Sequence, residues 1–391
     1  MKIGMLVNNL EVSGGYQKLV IRLSQNLKKL GHSVVIFTPK LNAEKCYPND
    51  IKDLAIVTIS KRFADVTPVE SYAELSKKID SSFDSFIIHD ELSLIGIGIM
   101  AEPPKTVVWM LNNQLPENLG KYMPEVKSVY KQTIGSLSTK IKEIHKAIDR
   151  VMLMRKGLRR TSKLVTYDEF NKQLVKKMLG RDAQNIYAGA DLEQFKEFAK
   201  QRDFKKKPSY TVLSVGVVFP HRRYEDLIRA AALLVKAGVT NTKITIVGRQ
   251  DLSPDYFAEL EDLARQLHVE RHVRFINYVT DQEMIRLYRD SDIFAFINDG
   301  FTWGISVFEA VAAKLPVIIT DNIGAVDLIK DRVHGRLVKP KSPEDVAAAI
   351  SDIILDRSNA QAYATAAYQD ILKIVSWEAY TQRILQAMSG K

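Results

Sequence analysis

Apolar runs of strand length alternate with amphipathic stretches of helical period along nearly the whole chain, and this alternation limits the possible folds more than any other feature. It is the pattern of βαβ units on a parallel sheet, an α/β fold. The first half offers strands near Lys2 to Val7, Ser33 to Thr38, Ala55 to Ile59, Asp84 to His89, Thr106 to Leu111 and Lys163 to Tyr167. The second offers Tyr210 to Val215, Lys243 to Val247, Val273 to Ile276, Ile293 to Ile297, Leu315 to Thr320 and Arg336 to Val338. At 391 residues the chain exceeds what one core organises, so two similar domains are expected. The polar stretch KEFAKQRDFKKKPS, residues 196 to 209, has no apolar period and closes on a proline, which predicts a boundary between domains 1–199 and 200–376. A last amphipathic stretch, Trp377 to Met388, follows the N-cap residue Ser376; residues 377–391 are expected to form a helix that returns to the first domain.

Composition removes several classes of protein. Hydrophobic residues make up 46% and charged residues 26%, ordinary values for a globular chain that folds throughout. The single cysteine, Cys46, offers neither a disulfide framework nor a thiolate zinc site, and a reducing, cytoplasmic compartment is expected. The opening MKIGMLVNNL runs into a Gly-Gly turn and reads as a buried strand, not a secretory signal, and no apolar run has the length of a membrane span. The net charge of +10 is concentrated in residues 121–163, where twelve Lys or Arg face three acids. Within that segment Tyr130, Ile134, Leu137, Ile141, Ile144, Ile148 and Val151 recur at spacings of three and four, which predicts a long amphipathic helix. Its basic face is either a solvated surface or a patch for anionic lipid headgroups at the inner membrane face, or for a polyanionic acceptor. No basic and aromatic interleaving accompanies the excess, so no nucleic acid partner is expected.

Three stretches carry chemistry. Strand 1 ends in Asn8 and Asn9, and then Ser13, Gly14 and Gly15 lead into a helix, so backbone N–H groups could meet an anion there; a tight connection would give the same residues. In the second half YTVLSVG is followed by Arg222 and Arg223 at the start of a helix, where cations oppose the dipole and need another reason, such as clamping a diphosphate. The densest signal is residues 293–329, in which a strand runs into an Asp, Gly and aromatic loop, then a helix near Ile305 with Glu309 one turn in. The amides of Gly304, Ile305 and Ser306 would face the carboxyl edge of the sheet. Among the histidines, His89 ends a strand beside Asp90 and Glu91 and is expected to be structural; His268 and His272 straddle a strand start, which disfavours a helical metal pair.

The segment GFTWGISVFEAVAAKLPVIITDNIGAVDLIKDRVHGRLVKP is similar to the E-G-F-G-L-x-x-L-E-A-M-A-x-G-x-P-V-I pattern of the family 4 retaining glycosyltransferases and the motifs that follow it. GGYQKLVIRLSQNLKKLGHSVVIFT, YAGADLEQF, VGVVFPHRRYEDLI and ITIVGRQ resemble other stretches of that family, so the likeness spans most of the chain. It implies the GT-B fold, two Rossmann-like domains facing across a cleft. By the same resemblance Glu309 would hydrogen-bond the donor ribose, Arg222, with Arg223, would hold the diphosphate, the amides of Ile305 and Ser306 would complete the anion cradle, and Gly14 and Gly15 would approach the donor phosphates. Arg249 and Tyr278 would help select the donor base and sugar. The family's first glutamate falls on Phe301 by strict counting, or on Asp299 if the loop carries an insertion; Asp299 is preferred. The family's usual histidine is replaced near Leu111 or Asn112, and Asn112 could bind a sugar hydroxyl but could not titrate.

The implied reaction moves a hexose-type sugar from a nucleotide sugar, GDP-mannose or a UDP-sugar, to a glycan or lipid-linked acceptor with retention. The leaving phosphate would accept the acceptor's proton, and protein cations would balance it, so neither a metal nor another cofactor is expected. The paired carboxylates of glycoside hydrolysis are not evident. The departures leave one alternative, a catalytically silent nucleotide-binding or scaffold subunit of a glycosyltransferase complex.

Overall fold

The computed structural model describes residues 1–59, 66–111, 137–300 and 302–389. The chain divides into two compact units, Met1–Ala188 with Trp377–Lys391, and Gly189–Ser376.

Among the described residues of the first unit, seven strands form one parallel sheet in the order β3-β2-β1-β4-β5-β6-β7. They are β1 (Lys2–Leu6), β2 (Ser33–Phe37), β3 (Ala55–Val57), β4 (Ser85–Ile88), β5 (Thr106–Leu111), β6 (Lys163–Thr166) and β7 (Gln184–Asn185). The second unit holds six in the order β10-β9-β8-β11-β12-β13: β8 (Tyr210–Val215), β9 (Thr242–Val247), β10 (Val273–Ile276), β11 (Ile293–Phe296), β12 (Val317–Thr320) and β13 (Gly335–Val338). Central strands such as β4, β11 and β12 are buried at every position, because helices cover both faces and apolar side chains therefore point both ways. In each unit the chain leaves the first strand toward one edge and later returns to build the other. The first unit thus switches direction between β1 and β4, and the second between β8 and β11.

The polar stretch expected to be a linker belongs to the second unit, and the division falls at Ala188 and Gly189. Residues Lys196–Lys200 form a short helix, with Phe195, Ala199 and Phe204 buried. The Arg202 guanidinium donates to the carbonyls of Ala313, Ser291 and Tyr288 at 2.7, 2.7 and 2.8 Å. Long basic side chains that close carbonyl groups make a stretch without apolar period part of a domain. The strand β7 went unforeseen because two residues carry no period.

Trp377–Ser389 is a helix of the first unit, packed on the helix Gly15–Lys29 and on β5, with Tyr380, Thr381 and Ile384 fully buried. The basic helix runs over Leu137–Arg160; Tyr130, Ile134, Lys121, Lys127 and Lys131 lie outside the described residues. Its buried face is Ala147, Val151, Met154 and Gly157, so the expected core positions Leu137 and Ile141 are instead exposed, at 67% and 47%. The C-terminal half packs on the helix Ser93–Ile99, which Gly98 and Gly157 let approach closely.

Candidate functional site

In an open parallel sheet, ligands bind outside the carboxyl ends of the strands at the point where the strand order reverses. In the second unit that point collects the loops after β8 and β11. β8 ends at Gly216, and a 3₁₀ turn over Pro220–Arg222 precedes the helix Tyr224–Lys236. Arg222 folds back over the strand ends, its guanidinium carbon 4.6 Å from the Phe296 ring centroid and one terminal nitrogen 3.5 Å from Asn298 Oδ1. A side chain at Gly216 would come within 3.2 Å of this guanidinium, which explains the glycine. Burial holds the Arg222 pKa below its ordinary value, its Nε has no hydrogen-bond partner, and among the described residues no carboxylate pairs with it. A half-buried cation in that state favours an anionic ligand.

Arg223 is different. It adopts the left-handed conformation (φ 47°) as the N-cap of the following helix, and its guanidinium pairs with Glu225 at 2.5 Å and with Asp226 at 2.8 Å. Those carboxylates lie in the first turn of the same helix, where they also favour the dipole, and they raise the Arg223 pKa against the opposing effect of burial. Of the two sequence candidates, Arg222 has no carboxylate partner among the described residues, whereas Arg223 is committed to its own helix.

The loop after β11 supplies the rest. Asn298 is buried, its amide donating to the Gly300 carbonyl at 2.6 Å and its backbone N–H to Thr320 Oγ1 at 3.1 Å. Asp299 N–H donates to the His221 carbonyl at 2.7 Å, fastening this loop to the residue before Arg222. The Asp299 carboxylate pairs with Lys341 Nζ at 2.6 Å, a lysine without any local signature, since it follows β13. Phe301, the other position for the family's first glutamate, lies outside the described residues. Gly304 caps the helix Ile305–Ala312 at φ 80°, a conformation that suits glycine. The amides of Ile305 and Ser306 then open that helix and have no acceptor within its ladder, so they are available to an anion. The Ser306 hydroxyl donates to the Val215 carbonyl at 3.4 Å, which ties the helix start to the end of β8. Glu309, one turn in, is buried and accepts a 3.1 Å bond from the Tyr288 hydroxyl. Tyr288 is itself held by stacking on Phe294 and by the edge of Phe195.

Arg249 and Tyr278 follow β9 and β10 on the outer side of β8. Arg249 grips Asp251 with two bonds, 3.0 and 2.6 Å, while its carbonyl accepts from Val218 N–H. Tyr278 is 77% exposed. His268 sits in a left-handed turn and His272 Nδ1 lies 3.1 Å from the Thr242 carbonyl, so the two do not share a helix face.

The first unit has its own polar group at the β1/β4 reversal. Gly14, extended, caps the helix Gly15–Lys29, and the Tyr47 hydroxyl donates to the Gly14 carbonyl at 3.2 Å. Asp90 accepts from Asn8 N–H at 2.8 Å, from the Tyr16 hydroxyl at 2.8 Å, and from the N–H and hydroxyl of Ser93 at 2.9 Å each. This network, which sequence reading missed, joins the glycine loop to the end of β4; its only sequence signal was an acid after a buried strand. Burial raises the Asp90 pKa against these bonds and lowers that of His89 to about 3. His89 is therefore neutral at physiological pH. Asn112 lies outside the described residues.

Residues 195–370 match the profile of the glycosyl transferases group 1. An uncharacterized glycosyltransferase of Methanocaldococcus jannaschii is 30% identical over 167 residues, 43% of this chain and 41% of that one. The phosphatidyl-myo-inositol mannosyltransferase of Mycolicibacterium smegmatis is 25% identical over 403 residues, all of this chain and 95% of that protein. In structure, HepE of Anabaena in complex with UDP aligns over 100% of both chains with a TM-score of 0.76 at 17% identity, which shows the shared GT-B fold. The matched profile spans the β8/β11 site: residues 195–370 are similar to the glycosyl transferases group 1, and the whole chain shares the GT-B fold.

Proposed function

We propose that this chain transfers a hexose-type sugar from a nucleoside diphosphate donor to a glycan or lipid-linked acceptor with retention of configuration. The observation that carries the proposal is Arg222, a half-buried guanidinium with no carboxylate partner among the described residues, in the same unit as the helix start at Ile305 and Ser306. The donor diphosphate supplies the missing negative charge, and Glu309, fixed by Tyr288, accepts from the ribose hydroxyls. As the glycosidic bond breaks, charge accumulates on the leaving phosphate; Arg222 and the two amides stabilise it there, and that phosphate takes the acceptor's proton. Protein cations do this work in place of a metal, so transfer is expected to survive EDTA. A mannosyl donor is favoured by the mannosyltransferase relative, and a UDP-sugar by the structural neighbour crystallised with UDP. The exposed apolar and basic face of Leu137–Arg160 suits peripheral attachment to an anionic membrane, where a lipid-linked acceptor resides; no helix among the described residues is long and apolar enough to cross one.

Thermal-shift titration with GDP, UDP and ADP tests the reading, because a ligand of the native state raises the midpoint by mass action. One nucleotide should stabilise the protein, and Arg222→Ala and Glu309→Ala should abolish the shift. If no nucleotide shifts the midpoint, the proposal fails. Selective binding without transfer from any sugar nucleotide would identify a silent subunit instead.

A further inference from the structure

Both loops at the β8/β11 edge carry a charge that the diphosphate reading uses or must tolerate. Arg222 and the helix start attract an anion. Asp299 would repel one, and its backbone N–H is bonded to the His221 carbonyl at 2.7 Å, which fastens its loop to the residue before Arg222. A carboxylate beside a bound diphosphate costs binding unless it is neutralised.

The structure supplies the neutralising group from a distant part of the chain. Lys341 follows β13, which lies two strands away from β11, and reaches back to place Nζ 2.6 Å from Asp299 Oδ2. Its backbone is left-handed, φ 60°, a conformation unfavourable for lysine that the tight turn imposes before the helix Pro343–Leu355. Two residues earlier Lys339 pairs in the same way with Asp321, the residue after β12. The Lys339-Pro340-Lys341 run thus straps the loops after two neighbouring strands, and its second lysine ends on Asp299.

We propose that Lys341 is a charge-compensating residue of the donor site: it neutralises Asp299 so that a nucleoside diphosphate can bind beside that carboxylate. The inference rests on the diphosphate reading above. Lys341 need not touch the ligand. Removing it leaves Asp299 as an uncompensated negative charge, and removing both charges restores the balance.

Isothermal titration of the whole chain with the nucleoside diphosphate selected by the thermal-shift screen provides the test. Lys341→Ala is expected to weaken binding about fivefold at low ionic strength, with the effect shrinking as salt is added. Asp299→Asn should bind at least as tightly as wild type, and Lys341→Ala with Asp299→Asn should return to within about twofold of wild type. Unchanged affinity in Lys341→Ala overturns the proposal. Weakened affinity that Asp299→Asn does not rescue overturns it too, since it would mean a direct phosphate contact or a general loss of structure. If wild type binds none of the nucleotides, the failure belongs to the functional reading and not to Lys341; if wild type binds, Arg222→Ala weakens binding and Lys341→Ala leaves it unchanged, that reading stands while this one falls.

Discussion

Arg222 and Arg223 are adjacent, chemically identical and opposite in fate, and partners decide which is which. Arg223 finds Glu225 and Asp226 within its own turn, whereas Arg222 finds an aromatic ring and an amide oxygen. Arg222→Ala should therefore weaken nucleoside diphosphate affinity roughly ten- to a hundredfold, the range for a charge-assisted bond, while Arg223→Ala should mainly lower the thermal midpoint. Calorimetric affinities beside melting curves separate the two. Gly216→Ala should mimic part of the Arg222 loss, because the new methyl would press on the guanidinium at 3.2 Å. His89 gives a pH prediction. Its folded pKa, about 3, lies below the ordinary histidine value because burial disfavours the imidazolium. The unfolded chain therefore binds the extra proton first, and stability drains as pH falls from about 6.5 toward 3, at up to about 1.4 kcal/mol per pH unit. Denaturant titrations at pH 7 and pH 5 should show a smaller loss in His89→Gln than in wild type; equal losses would contradict the assignment. The motif around Glu309 made that residue visible in the sequence, but Tyr288, which fixes its carboxylate, is 21 residues away and had no signature.

At the scale of elements, the strands were the most legible part of the chain, because fully buried parallel strands are continuous apolar runs. Helix faces were less so. The periodic positions in the basic helix predicted one continuous core stripe, but Leu137 and Ile141 are exposed while Ala147, Val151 and Met154 are buried, and periodicity cannot say where along a helix burial ends. The other half is held by close backbone approach: a Cβ on Gly157 would sit 2.0 Å from the Leu94 carbonyl oxygen. Gly157→Ala should force the two helices apart and destabilise the protein by about 1 to 3 kcal/mol, measured by chemical denaturation. Reversing the charges of Lys140, Lys142 and Lys146 should change stability by less than about 0.5 kcal/mol per site, since all three are surface positions. The same triple variant should lose binding to vesicles rich in anionic lipid in a flotation assay, and unchanged flotation would remove the membrane attachment from the proposal.

For the molecule as a whole, the C-terminal helix carries the clearest consequence. Trp377, Tyr380 and Ile384 are buried in the first unit, and the Tyr380 hydroxyl lies 3.4 Å from that of Tyr167. At about 1.5 to 3 kcal/mol for each large apolar side chain, their loss approaches the whole stability of a domain. A chain ending at Ser376 should lose protease resistance in residues 1–188 while Gly189–Ser376 stays resistant, which limited proteolysis followed by mass spectrometry would reveal. The sequence by itself determined two parallel α/β units, the turns that end their first strands in glycine, and the helix start that can receive an anion, because periodicity, turn chemistry and capping are local properties. Only the tertiary structure decided that Arg222 lies over Phe296 while Arg223 pairs with acids, that Lys341 reaches Asp299, that Asp90 joins the glycine loop to β4, and that the last helix completes the first unit. Each of these depends on which groups meet after the chain has folded back across tens to hundreds of residues, and local pattern holds no record of such meetings.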